Sequence, residues 1–312
     1  MKTVGIIGGS GFIGSHTTKK FLEEGYNVKV SVTDIKMSEK YEHLFNLKNA
    51  DNLNISALKV EDFETLKAFI RDCEIVIHGG TPFQLDVEDP RKELFDPTIN
   101  GTTNFLKAVS ETPSIEKVVL IASVAAYNTN FPLPSYGKTT TDSFNETDKK
   151  YISAESHPYA QAKFMANQTV EKFIEENPKL SFEITSVSPV GVMGKSLSNR
   201  EDSTSTGLQF LFKNKIAPNP FVQMLYDTNA EMATVDVEDV AQAIFKSATI
   251  SGLHGKNYLL SSETYPVSDM TLMLNHKEPK NKASVIYQNR LAINDLEMKF
   301  RPVQETLNSY SK

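Results

Sequence analysis

The chain has 312 residues, 39% of them hydrophobic, and a formal net charge of -6 at pH 7. That is enough apolar mass for a sizeable core, which excludes a chain disordered throughout, and a charge that gives no general attraction to nucleic acid or to an anionic membrane surface. One cysteine, Cys73, cannot form an intrachain disulfide, and the six histidines show no metal-ligand spacing, so a reducing cytoplasm and no metal are expected. No apolar run reaches the roughly 18 to 20 residues needed to span a bilayer, and Met1 leads straight into TVGIIGGSGFIG without a cleavable signal pattern, so no membrane association is expected.

Along the chain, β-rich apolar runs alternate with helical patterns. TVGIIG is followed by HTTKKFLEEG, then come NVKVSV, CEIVIHGG, NGTTNFLKAVSE and KVVLIAS, and FEITSVSPV follows a long helix. This is the pattern of βαβ units and predicts an α/β fold, a Rossmann-type doubly wound parallel sheet buried on both faces. Beyond Val192 the pattern loosens into the polar SLSNREDSTSTG and the proline-broken LQFLFKNKIAPNPFVQMLYD. MATVDVEDVAQAIFKSA then reads as a return to the sheet. The expected division is a cofactor-binding domain of residues 1–190 plus about 233–260, and a smaller discontinuous C-terminal substrate lobe of about 191–232 plus 261–312.

Directly after the first strand stands Gly8-Gly9-Ser10-Gly11-Phe12-Ile13-Gly14, leading into a helical pattern. A dinucleotide site needs this context: glycines permit the tight turn and close backbone approach, and the pyrophosphate sits on the free N–H groups of the following helix. Further on, Pro158 suits the first turn of a helix carrying Tyr159 and Lys163, one turn apart. An ammonium beside a phenol is expected to pull the tyrosine pKa down from about 10, which makes a general acid/base. Ser123 falls just past a buried strand, at the edge where parallel sheets bind ligands, and its hydroxyl can hold a carbonyl oxygen.

Taken in order, these segments resemble the extended short-chain dehydrogenases/reductases, the NAD-dependent epimerase/dehydratase superfamily. Within it they are most similar to the dihydroflavonol reductase-like and yeast-type aldehyde/ketone reductase branch. GGSGFIG resembles that family's cofactor loop, CEIVIHGGTPF its "vvfHxAtPf", DPTINGTTNFLKAV its "PtixGtxNxLkAc" and HPYAQAKFMA its "PYxxSKxxAE". SVSPVGVMG, VDVEDVAQA and KFRPVQETLNSY match its later motifs. The resemblance implies that Ser123 orients the carbonyl, Tyr159 donates the proton, and Lys163 activates the tyrosine and holds the nicotinamide ribose. It further implies that Gly8, Gly11, Phe12, Ile13, Gly14, Gly79, Gly80, Thr81, Pro189 and Val192 line the cofactor.

Three departures bear on that cofactor and its neighbours. Ala122 replaces the first serine of the family's pair. Lys59 stands where many relatives have an acid for the adenine amino group, which leaves the backbone of Val60 for that contact. Thr98 stands where sugar-modifying relatives often carry asparagine.

NAD enzymes of this class place a ribose-binding acid at the strand end, here Val32, and Asp34 lies two residues beyond. Reductases of the branch have an arginine at Thr33 for the 2′-phosphate, and Lys36 is the remaining cation for that role. The balance leans to NADP(H), with NAD(H) the alternative.

The expected reaction is NAD(P)H-dependent reduction of an aldehyde or ketone, a small-molecule carbonyl. Phe83, Phe131, Phe210 and Met224 are the candidate substrate walls, joined by Phe212, Phe221 and Tyr226. A nucleotide-sugar epimerase or dehydratase remains an alternative, although such enzymes tend to carry arginine and histidine where this chain has Met232 and Asp236. A non-catalytic NAD(P)-binding sensor is the third reading. The sequence leaves the oligomeric state open, a homodimer included.

Overall fold

Odd and even residues of the central strands enter different cores. Ile75 and Ile77 join one buried cluster while Val76 between them joins another, and Val119 and Ile121 separate in the same way from Val118 and Leu120. A strand whose successive side chains are all apolar must be covered on both faces, and this one property dictates a three-layer architecture. The computed structural model describes residues 1–79, 88–135, 137–200 and 203–310. Of the expected site residues, Gly80, Thr81 and Phe83 lie outside the described residues.

In chain order the elements are β1 (Thr3–Ile7), α1 (Phe12–Glu23), β2 (Asn27–Val32), β3 (Leu53–Ala57), α2 (Phe63–Ile70), β4 (Ile75–His78), α3 (Asp96–Ser110), β5 (Lys117–Ile121) and α4 (Pro158–Glu176). They continue with β6 (Glu183–Pro189), β7 (Gly191–Met193), α5 (Thr204–Asn214), α6 (Pro220–Asp227), β8 (Glu231–Asp236) and α7 (Val237–Thr249). The chain ends in β9 (Asn257–Leu260), β10 (Thr264–Pro266), α8 (Val267–Leu274), α9 (Arg290–Leu296) and α10 (Val303–Asn308). Seven strands form one parallel sheet in the order β3-β2-β1-β4-β5-β6-β9. Helices α1 and α7 cover one face, and α2, α3 and α4 cover the other. The expected doubly wound parallel sheet is therefore present. Strand order reverses between β1 and β4, so the two connections leave in opposite directions and open a crevice at their C-terminal ends.

The segment read as a return to the sheet divides. Helix α7 does pack on the large sheet, but its strand β8 pairs instead with β7 and, antiparallel, with β10 in a separate three-stranded sheet. The seventh large-sheet strand is β9, which pairs with β6. The tail divides too. Ala292 and Leu296 of α9 enter the main core, whereas Val303 and Leu307 of α10 join the small core built on Phe212, Leu225, Met232 and Met270.

Two glycines test how tightly the crevice is built. A Cβ on Gly14 would lie 2.0 Å from the Gly8 carbonyl oxygen, a backbone atom that cannot step aside, whereas one on Gly101 in α3 meets nothing within 4 Å. Gly14→Ala should cost about 2 kcal/mol or more through overpacking, and Gly101→Ala should gain roughly 0.4–1 kcal/mol through lower unfolded-state entropy. Urea denaturation of both variants checks this, and a Gly14→Ala protein as stable as its parent would contradict the geometry.

Candidate active site

The sheet register brings the ends of β1 and β4 side by side, with Ile7 opposite His78. Gly8 and Gly79 then leave together. A Cβ on Gly79 would sit 2.5 Å from the Ile7 carbonyl oxygen, and Gly8 has φ +80°, a conformation that favours glycine. The Gly11 N–H donates to the Gly8 carbonyl at 3.1 Å and closes the turn. Helix α1 opens on extended Gly11 with no side-chain cap and no acid in its first turn, and its first three residues are Phe12, Ile13 and Gly14. Uncapped N–H groups at the positive end of a helix, in a cradle where Gly9, Gly14 and Gly79 leave no room for a Cβ, fit the pyrophosphate of a dinucleotide.

Strand β5 delivers Ser123 to the same edge of the sheet. The Ala122 N–H donates to the Val187 carbonyl at 2.8 Å, extending the ladder one residue past β5, and Ser123 follows in extended conformation. Its Oγ accepts from the Ala125 N–H at 3.2 Å, capping the short turn Val124–Ala126. Capping uses an oxygen lone pair, so the hydroxyl can still donate its proton. Helix α4 packs against this turn. Pro158 occupies its first turn, and the His157 imidazole Nδ1 accepts from the Tyr159 N–H at 3.2 Å. One turn in, Lys163 is buried at 7% exposure, its Nζ 5.8 Å from the centre of the Tyr159 ring.

The electrostatics reverse one expectation. The Tyr159 phenol is not pulled down in the cofactor-free chain: burial pushes it up to about 12. Burial likewise lowers the Lys163 ammonium from 10.5 to about 8. The physical reason is common to both, because removing water penalises phenolate and ammonium alike. Lys163 also lines a small cavity of about 40 Å³ with His78, Thr102, Ala122, Asn167 and Ser186. Burial, and then the nearby Lys163 charge, hold the His78 imidazole down at about 4, so it is neutral at pH 7.

Asn167 was not anticipated, although it stands one further turn along the face shared by Tyr159 and Lys163. It donates to Glu171 at 2.9 Å and accepts from Asn257 at 2.9 Å, which fixes α4 against β9.

The remaining expected residues divide. Thr33 and Lys36 are exposed just past β2, and half-buried Val60 lies just past β3. Pro189 ends β6, and Val192 is buried in β7. All lie towards the C-terminal side of the large sheet or in the short strand that leaves it.

Of the candidate substrate walls, Phe131 packs between the main and small cores, 5.6 Å edge-on from Tyr287. Phe210 and Phe221 are 46% and 45% exposed, and Met224 is half-buried against the small core. Phe212, expected as a wall, is instead wholly buried in that core, because two residues on a helix turn it to the face opposite Phe210. Tyr226 packs edge-on against Phe212 and donates to the Leu211 carbonyl at 2.7 Å.

A buried ammonium has a consequence for stability. Its folded-state pKa lies below the unfolded value, so the unfolded chain binds more protons between about pH 8 and 10.5 and native stability rises with pH across that window. Below pH 8 the charge costs the fold up to about 3 kcal/mol. Lys163→Met keeps most of the stem and removes that cost. The variant should be more stable than the parent by about 1–3 kcal/mol at pH 7, with the gap closing towards pH 10.5. Urea denaturation at the two pH values reads this directly, and a variant destabilised at both would show that the charge is well compensated.

A family model described as the NAD dependent epimerase/dehydratase family matches residues 4–261. The chain is 29% identical over 287 residues to an anthocyanidin reductase ((2S)-flavan-3-ol-forming) of Vitis vinifera, covering 90% of this chain and 82% of that protein. It is 29% identical over 253 residues to cinnamoyl-CoA reductase CAD2 of Medicago truncatula, covering 80% and 74%. Its fold is similar to that of yeast methylglyoxal/isovaleraldehyde reductase Gre2 complexed with NADPH, with a TM-score of 0.80, 24% identity and coverage of 98% of this chain and 96% of that one. The chain belongs to the NAD dependent epimerase/dehydratase family.

Proposed function

We propose that the protein reduces an aldehyde or ketone to the alcohol, using NADP(H) in preference to NAD(H). What supports this reading is that α4, which carries Tyr159 and buried Lys163 one turn apart, packs against the turn that Ser123 caps, at the sheet edge that also bears the glycine cradle. A bound reduced nicotinamide supplies the hydride. The Ser123 hydroxyl donates a hydrogen bond to the carbonyl oxygen and fixes its position. Tyr159, held protonated by burial, gives its proton to that oxygen as negative charge develops there, and the phenolate left behind is stabilised by the Lys163 ammonium. Relatives named as reductases, and a similar fold solved with NADPH, support both the reaction and the cofactor lean.

The smaller lobe, about 191–232 plus 261–312 with α9 set on the Rossmann side, forms the substrate wall in this reading. Phe210 and Met224 are its apolar members, and Phe131 faces it from the large domain, packed against both cores. A sugar diphosphate needs cations in that lobe to offset the desolvation of its charges. Met232 is instead 3% exposed in the small core, and Asp236 is 2% exposed, capping α7 and paired with Arg301 at 3.2 Å. Both positions are committed to structure, which favours an uncharged carbonyl over a nucleotide sugar. Free, buried Cys73 fits a reducing compartment, and the cytoplasm is the location this reading takes.

Two outcomes test the chemistry. Tyr159→Phe should lower the rate of carbonyl reduction by roughly 10²- to 10⁴-fold while the cofactor still binds, and an unchanged rate would remove Tyr159 from the mechanism. In the parent, the rate should fall above about pH 8 as Lys163 loses its proton, well before Tyr159 titrates. A pH-rate profile that stays flat through pH 9.5 would show that the ammonium is not needed. Aromatic and aliphatic aldehydes and ketones should oxidise the reduced cofactor. Epimerisation or dehydration of UDP-, GDP- or dTDP-sugars without net cofactor consumption would replace this reading with the epimerase one.

A further inference from the structure

Thr33 leaves the end of β2 without the arginine that the resembling reductases place there, and the surrounding segment does not make up the charge. Residues 33–48 hold three cations, Lys36, Lys40 and Lys48, and three anions, Asp34, Glu39 and Glu42. Such a segment is electrically neutral and offers little to a phosphate dianion. A cation does reach this place, from the other end of the fold.

Just past β7 stands Gly194, whose φ of +124° turns the chain out of the small sheet. Gln209 of α5, fully buried, pins the turn from both sides, accepting from the Gly194 N–H at 2.9 Å and donating to the Gly194 carbonyl at 3.1 Å. The next carbonyl, that of Lys195, accepts from His16 Nε2 of α1 at 2.9 Å. That bond sets the tautomer, because a carbonyl can only accept, so Nε2 carries the proton. The strap 195–200 is thereby tied across the first turns of α1.

Arg200 ends the strap. Its Nη1 donates to the Ser10 carbonyl at 3.3 Å and to the Lys40 carbonyl at 3.1 Å, spanning the glycine loop on one side and the segment past β2 on the other. In a Rossmann fold the adenosine ribose lies between those two elements, with its 2′ position facing the end of β2. The Arg200 charge is felt there: burial first, and then Arg200, hold the His43 imidazole below its usual range, and His43 Nε2 is 2.8 Å from Ser15 Oγ in α1.

We propose that Arg200, carried on the strap from the smaller lobe, is the cation that recognises the adenosine 2′-phosphate and so sets the preference for NADPH over NADH. The assignment rests on the dinucleotide reading of the glycine cradle. It replaces a cation at the end of β2 with one delivered across the cleft, and it makes the positioning of that cation depend on Gln209 and His16.

Isothermal calorimetry of NADPH, NADH and 2′,5′-ADP with the parent, Arg200→Gln, Arg200→Lys and Lys36→Gln tests this by binding alone. A charge-assisted guanidinium–phosphate contact corresponds to roughly 10- to 100-fold in affinity. Arg200→Gln should weaken NADPH and 2′,5′-ADP by about that factor and NADH by less than about 3-fold. Arg200→Lys should recover part of the preference as a point charge without the planar fork. Added salt should weaken NADPH binding to the parent more than to Arg200→Gln. Equal losses for NADPH and NADH would mean that Arg200 only holds the strap, and an unchanged Arg200→Gln beside a weakened Lys36→Gln would move the role to Lys36; either overturns the proposal while leaving the cradle intact. If the parent binds neither dinucleotide, the cradle reading itself fails and the proposal falls with it.

Discussion

Lys163 holds an ammonium in a place where water reaches it poorly, and the rest of the site is arranged around that cost. The charge sits one helical turn from a phenol, behind the end of β5, with neutral His78 as a close neighbour. A fold selected for stability alone would place an apolar residue there. The lysine is tolerated because α4 is fixed along its length: Pro158 and His157 start it, Asn167 ties it to β9 through Asn257, and Lys150 bonds Glu171 further along. Positioning Tyr159 and Lys163 is thus a property of a rigid helix against a buried sheet, which limits how far either can move from Ser123.

Much of this was legible in the sequence because its causes are local. The glycine spacing after β1 requires only that the next turn be tight, and Tyr159 and Lys163 share a face through helical geometry. The buried strands announce themselves as continuous apolar runs. What was not legible depends on partners far along the chain. Nothing in EMATVD says that it will pair with Gly191–Met193 and Thr264–Pro266 rather than with the large sheet. The opposite fates of Phe210 and Phe212 follow from which side of α5 meets α8 and β7. The direction of the Tyr159 shift needed the burial of the phenol, which spacing alone does not reveal. The contacts of Arg200 with Ser10 and Lys40 join residues 190 and 160 positions apart in the chain.

In the proposed reaction the two lobes therefore do different kinds of work. The large sheet supplies an edge where backbone N–H groups, a strand-end hydroxyl and a helix-borne acid meet. The small lobe, built around Phe212, Met232 and Met270, brings the apolar surface near Phe131 and reaches back over the cofactor cleft through the strap that ends in Arg200. Specificity for the carbonyl and for the nucleotide would then be set by the same lobe, and the chemistry by the other.

The central claim is that hydride and proton travel to the same carbonyl by separate routes, the proton through Tyr159. The most direct measurement is single-turnover reduction of an aromatic ketone with reduced cofactor carrying deuterium at both nicotinamide C4 positions, followed by mass analysis of the alcohol. The account predicts one deuterium, bound to carbon and resistant to exchange with water, and a turnover that slows in heavy water for the parent enzyme. Alcohol formed without carbon-bound deuterium would contradict it.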